Sequence, residues 1–242
     1  EGMEAEYLSG DHQAALRLYE PLQTQAKSVL ERVDLIGRRV LLDTDRGHHK
    51  QAVRAAREGL ALLGVDIPEV GSTGAELRAF AGIQWRLLGQ GPAEIRELPA
   101  LTDTGKQAAL HLLMTMTASA FFIDRKLVSI IQMKIASITL DEGVGDYAGY
   151  AFAGYGMFLA VGLKFYRQAY RYGVLALDLV EKAKNPVVLP KVVFLVTSFI
   201  KPWVRPYSEL NGELEVGYEA ALQSGDLGYA GYIAANRVFL SI

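Results

Sequence analysis

The sequence predicts an all-α chain of antiparallel helix pairs, and three observations carry that expectation. Apolar residues recur at three-to-four spacing, turn and breaker residues punctuate the chain at short intervals, and the strict alternation of a half-buried strand is scarce. With 242 residues, half of them hydrophobic, 21% charged and a formal net charge of -2, the chain has a globular composition and enough length for a substantial core. Cysteine is absent, so a disulfide framework, a thiolate zinc site and a cysteine nucleophile are excluded. A reducing cytoplasm fits that composition. The near-neutral charge lacks the clustered cations of a dedicated nucleic-acid binder, so nucleic acid is not an expected partner. The start, Glu1 to Gly10, is acidic and lacks the basic-then-apolar layout of a secretory signal; it reads as if it begins in mid-helix.

The elements follow in order. Ala14, Leu18 and Leu22, then Leu30, Val33, Ile36 and Val40, predict two antiparallel helices. Gly10-Asp11, Asp45-Arg46-Gly47 and the run from Gly64 to Gly74 with Pro68 supply turns. Helices are then predicted over Ala75 to Leu88, Thr104 to Phe122, Arg125 to Leu140, Asp146 to Val161, Phe165 to Lys184, Leu189 to Ile200, Ser208 to Gln223 and Leu227 to Leu240. Thr102 or Asp103 is placed to cap one of them, and Ser208 another. Ala108 to Ile123, Tyr147 to Leu163 and Val192 to Ile200 carry no formal charge. Each is shorter than the roughly 20 apolar residues of a membrane span, so they are expected to be helices buried on most sides.

A weak internal period organises these helices. Gln13-Ala14-Ala15-Leu16 before Leu22 is echoed by Gln51-Ala52-Val53-Arg54 before Leu60 and by Gln168-Ala169-Tyr170-Arg171 before Leu177. An alanine at a helix crossing lets two backbones approach, so the echo predicts a tetratricopeptide-like stack, an α-α superhelix of antiparallel pairs. Tyr19 fits the large position of the first copy, whereas Arg57 and Gly173 do not, and a non-repeating bundle is the competing architecture. The stack is expected to be a single domain over residues 1–242, with a possible subdivision at 1–100 and 101–242. The apolar end Phe239-Leu240-Ser241-Ile242 suits a piece cut from a longer array.

Four phrases carry a family resemblance: Tyr7-Leu8-Ser9-Gly10-Asp11; Gly59-Leu60 through Leu63-Gly64-Val65-Asp66-Ile67-Pro68; Lys201-Pro202-Trp203-Val204-Arg205-Pro206; and Gly225-Asp226-Leu227-Gly228-Tyr229-Ala230-Gly231-Tyr232. Together they resemble the helical-repeat region of large bacterial multidomain signalling proteins. In that family the region follows a protein-kinase-like module and an AAA-type ATPase module and precedes sensor and histidine-kinase modules. None of the phrases is catalytic. The resemblance implies that serine/threonine-kinase, histidine-kinase and ATPase chemistry lies in flanking modules, with this segment a connector or a sensor.

Tests for chemistry within the segment give little. His12, His48, His49 and His111 match no zinc spacing, so solvated loop or core histidines are expected. The glycines of Gly143 to Gly145 and Gly149 to Gly156 lack the following Lys-Ser or Lys-Thr and the preceding strand of a phosphate loop. Gly149, Ala153, Gly154 and Gly156 read instead as small residues for tight helix contact. Asp43 with Asp45, and Asp141 with Glu142, have no evident tuning partner, and no activated serine is present. The segment is therefore expected not to be an enzyme and to need no cofactor or metal.

Aromatic residues are the positive signal. Tyr150, Tyr166, Tyr170, Trp203 and Tyr207, with Arg171 and Arg205, are the candidate ligand- or partner-binding residues, because amphipathic rings beside guanidinium groups suit a wet groove. The same rings also suit a repeat interface. Pro202 and Pro206 bracket Trp203 and Arg205, which predicts a rigid bend with Trp203 as its plug, or a docking corner. The leading expectation is a non-catalytic interaction or coupling scaffold whose partners are protein modules, flanking or separate. The alternative is a sensory domain holding a small molecule in the aromatic C-terminal half, which requires those rings around an enclosed pocket.

Overall fold

A computed structural model describes residues 12–240. The acidic Glu1 to Gly10 start, the Tyr7 to Asp11 phrase and Ser241-Ile242 lie outside the described residues, as do the side chains of His12, Gln13, Ala15, Leu16, Glu20, Phe239 and Leu240. The described residues are about 78% helical, and among them the one β pairing is an isolated bridge between Ala100 and Val144. The all-α expectation holds.

The helices are α1 (His12–Gln25), α2 (Val29–Asp45), α3 (His49–Leu62), α4 (Thr73–Arg86), α5 (Pro92–Arg96), α6 (Thr104–Ile123), α7 (Arg125–Glu142), α8 (Ala148–Met157), α9 (Tyr166–Ala183), α10 (Leu189–Leu195), α11 (Asn211–Gln223) and α12 (Leu227–Leu240). The described residues form two compact units, one of 12–80 with 102–131 and the other of 81–101 with 132–240.

In the first unit α2, α3 and α6 pack on one another. Val33, Ile36 and Val40 of α2, Ala52, Ala56 and Leu60 of α3, and Leu112, Leu113 and Met116 of α6 are buried. Leu112 and Ile36 both approach Gly59 so closely that a methyl group there would strike them. Ser28 and Glu31 form a capping box at the start of α2, the Glu31 N–H donating to the Ser28 hydroxyl at 3.1 Å. Asp103 caps α6, accepting from the Lys106 N–H at 3.0 Å. Ten of the twenty residues of α6 are buried, which accounts for its uncharged run. Its threonines are tolerated there because Thr115 and Thr117 donate to the carbonyls of His111 and Leu113, each at 2.8 Å.

In the second unit α8 is buried at nine of its ten positions. It packs on α9 and α10, α9 packs on α10, and α10 packs on α11 and α12. The contacts thus run between successive helices and between alternate ones, and α8, α10 and α12 begin at Ala148, Leu189 and Leu227. The small residues of α8 permit this approach. A methyl group on Gly149 would meet the Ala176 carbonyl and Val180 of α9, and one on Gly156 would meet Ile200 and the Ala169 carbonyl. Gly143 serves differently: its φ of +112° and the Pro99 carbonyl at the place of its missing Cβ admit only glycine beside the bridge.

Buried phenols concentrate in this unit. Burial, reinforced by Asp146, pushes the Tyr147 hydroxyl up to about 12, and burial also raises Tyr155, Tyr172 and Tyr229. Such a tyrosine remains neutral in the fold while the unfolded chain ionises from about pH 10. Its contribution is therefore complete below pH 10 and is lost as pH climbs towards 12. Urea unfolding should show stability falling over that window. Tyr147→Phe should remove about 2 kcal/mol of the decline; an unchanged slope in that variant would contradict the assignment.

No described helix is long and apolar enough to cross a membrane. Ser208 does not cap α11. It lies inside a 3-10 turn, Tyr207–Glu209, and the α-helix begins at Asn211, because Pro206 starts the turn with extended backbone and delays the helix.

Candidate interaction site

Two helices of the second unit end in the same irregular way. After Met157, α8 widens into a π turn over Phe158–Gly162, and after Leu195, α10 does so over Val196–Ile200. A π turn shifts every following residue around the axis, and such turns are frequent at functional sites. After the first, Lys164 adopts a left-handed φ of 60°, a strained conformation for a residue with a Cβ. The Phe165 N–H returns to the Leu159 carbonyl at 2.8 Å, and α9 starts at Tyr166. After the second, Lys201–Trp203 form a 3-10 turn. The Arg205 N–H returns to the Lys201 carbonyl at 2.9 Å, and the Trp203 indole N–H donates to the Phe199 carbonyl at 3.1 Å.

These two exits bring the aromatic residues together. The Tyr166 and Trp203 rings stack with centroids 4.7 Å apart and planes 14° from parallel. Arg205 lies over the Tyr170 ring at 5.7 Å and donates to the Tyr170 hydroxyl at 3.3 Å. That hydrogen bond raises the Arg205 guanidinium above its ordinary value. Arg171 and Tyr170 line a shallow hollow of about 300 Å³ with Pro92, Ala93, Arg96 and Val174. Within it Arg96 pairs with Asp178 at 2.8 Å. Five of the seven candidate residues thus form one corner, and Trp203 remains 53% exposed. It is a stacked platform rather than the buried plug that the flanking prolines suggested. Tyr207 follows at the start of its own 3-10 turn, half exposed.

Tyr150 is elsewhere. It is fully buried in α8, accepts a hydrogen bond from the Gln132 amide at 3.2 Å and hydrogen-bonds the Tyr229 hydroxyl. A larger open groove, about 480 Å³, lies among α9, α10 and α11, with Leu177, Val180, Val193, Val216 and Ala220 in its lining. None of the seven candidate residues borders it.

The sequence reading missed the pins behind the corner. Lys201, buried at the foot of the 3-10 turn, donates to both oxygens of Glu213, each at 2.5 Å. Lys191, buried at the start of α10, pairs with Asp226 and faces the Tyr229 ring at 4.7 Å. It also missed the two-pronged pair of Arg86 with Asp141, at 2.7 and 2.8 Å. His49 departs from the solvated-loop expectation. It begins α3, stacks on Phe122 at 4.5 Å and places Nδ1 3.1 Å from the Ser119 hydroxyl. Among the described residues no three His, Cys, Asp or Glu side chains converge to hold a metal ion.

With this geometry the chain can be set beside known proteins. Over 131 residues, 53% of its length, it is 24% identical to the hybrid signal transduction histidine kinase G of Dictyostelium discoideum. The chain spans 4% of that protein. No family model and no solved structure matches it.

Proposed function

We propose that this chain is a non-catalytic interaction and coupling segment of a multidomain signalling protein, and that the α9 and Trp203 corner is its docking surface. The carrying observation is that corner. Five candidate residues from two separate helix exits meet on an open face, with rings stacked and an arginine hydrogen-bonded beside them. Preformed aromatic platforms with arginine are what interface anchors use, because little side-chain entropy remains to be lost on binding.

The partial likeness to a hybrid signal transduction histidine kinase supports a signalling context, with protein modules as partners. The neighbour pattern of α8 to α12 supports a tetratricopeptide-like stack, in which α8, α10 and α12 form one row and α9 and α11 the other. Such a stack couples neighbours by passing displacement from one helix pair to the next. Kinase and ATPase chemistry belongs, on this reading, to other modules, and the segment works in the cytoplasm. The sensory alternative has less support, since the hollow beside Tyr170 and Arg171 is open and Trp203 and Tyr207 are half exposed.

Native mass spectrometry of the gently purified chain tests the choice. The expected result is the bare mass, together with protein crosslinks from a photoreactive phenylalanine at position 207 that disappear in Trp203→Ala. A small molecule retained on the native chain, released on denaturation and absent from Trp203→Ala, would transfer the site to the sensory reading.

A further inference from the structure

The corner carries more positive charge than its stacked rings require. From Val161 to Leu177 the chain holds Lys164, Arg167 and Arg171 and no carboxylate, although the whole chain is net negative. Arg167 and Arg171 stand one turn apart on α9, beside Tyr166 and Tyr170, also one turn apart. Both arginines and Lys164 are exposed. Among the described residues, Lys164 and Arg167 make no ion pair. The carboxylate that Arg171 feels, Glu94, is already held by the Gly91 N–H at 2.7 Å. Arg205 adds a fourth cation, with Glu209 at 3.6 Å.

Resting on the interaction reading above, we infer that this corner takes an acidic linear segment of a partner protein, extended in conformation, with carboxylates two residues apart and an aromatic or apolar side chain two residues further along the same face. The spacing follows from the geometry. Residues four apart on a helix are separated by about 6 Å along its axis. Alternate side chains of an extended peptide repeat at about 6.6 Å on one face. A carboxylate at each of two alternate positions therefore matches Arg167 and Arg171, each able to grip it with a two-pronged fork. Successive side chains of an extended peptide face opposite ways, so the one that meets Trp203 lies two residues beyond the carboxylate pair, on the same face; Tyr166 already covers one face of that ring.

A nucleic-acid strand fits less well. Tracking several phosphates needs a continued row of cations, and here Asp178 and Glu94 bound the row on one side and Glu209 on the other.

The experiment uses the 242-residue chain and fluorescein-labelled peptides of about ten residues read by anisotropy. One peptide carries Glu-Ser-Glu-Ser-Tyr in a Ser-Gly background, a second carries Gln-Ser-Gln-Ser-Tyr and a third Lys-Ser-Lys-Ser-Tyr; a thymidine oligonucleotide of about ten bases is the fourth probe. The Glu-Ser-Glu-Ser-Tyr peptide should bind at least about tenfold more tightly than its Gln counterpart and weaken as salt is raised. The double variant R167E/R171E should reverse the order, losing Glu-Ser-Glu-Ser-Tyr and gaining Lys-Ser-Lys-Ser-Tyr, a rescue that a misfolded variant could not give. Trp203→Ala should weaken binding to both proteins' preferred peptides. Equal binding of the Glu and Gln peptides, an unchanged preference in R167E/R171E, or tighter binding of the oligonucleotide would overturn the inference. If no peptide binds while crosslinks from position 207 persist, the acidic class falls and the docking surface stands. If both fail, both readings fall.

Discussion

Gly154→Ala should lower the folding stability of the chain by about 3 kcal/mol, as judged by urea denaturation. A methyl group at this position of α8 would overlap the amide of Gln132 on α7, and both residues are fully buried. Gln132 has little room to retreat: its nitrogen donates to the Tyr150 hydroxyl at 3.2 Å, and its Oε1 has no hydrogen-bond partner. The cause can be isolated by a second substitution. Gln132→Ala alone should also destabilise, since it deletes a buried side chain and leaves Tyr150 without that donor. In the double variant the added methyl occupies space the amide has vacated, so the two losses should fall short of additivity by about 2 kcal/mol. If Gly154→Ala has the same effect with Gln or Ala at position 132, overlap with the amide is not what glycine avoids.

Tight contact along α8 was legible in the sequence, because a run of Gly and Ala without charge inside a helix has few uses other than close approach; that the neighbour at Gly154 is the Gln132 side chain was not. The start of α6 was legible from a local signal, Asp103, whose carboxylate caps the helix ahead of Thr104. What was not legible depends on partners far along the chain. A lysine is ordinarily exposed, and Lys191 and Lys201 are buried because Asp226 and Glu213 arrive from later elements to neutralise them. The π turns have no local signature, yet they decide which tyrosines meet. Tyr150, buried by α8, and Tyr166, aimed by the exit from α8 at Trp203, are the same residue type in similar surroundings of sequence. The wide turn between them separates core from corner.

The partners of the two lysines also give the corner its rigidity. Lys201 joins the 3-10 turn to α11, and Lys191 joins the start of α10 to the loop before α12, so the helix leading to Trp203 is pinned near both ends. Asp226 does two things at once. One oxygen accepts from the Tyr229 N–H at 3.1 Å and caps α12, while the other pairs with Lys191. Removing a cap typically costs about 1 kcal/mol, and removing one partner of a buried ion pair costs about 3 kcal/mol more, since the remaining charge keeps its desolvation penalty. Asp226→Ala should therefore destabilise by about 4 kcal/mol. Asp226→Asn keeps a capping oxygen and should lose about 3 kcal/mol. Added to Asp226→Asn, the substitution Lys191→Met should cost little or restore stability, because the unpaired charge is then gone and the methionine fills the same space. Equilibrium unfolding of the parent and these three variants reads the differences. Equal losses for Asp226→Ala and Asp226→Asn would show that the carboxylate does not cap α12. A further large loss when Lys191→Met is combined with Asp226→Asn would show that lysine is held there by its packing against Tyr229 rather than by the charge of Asp226.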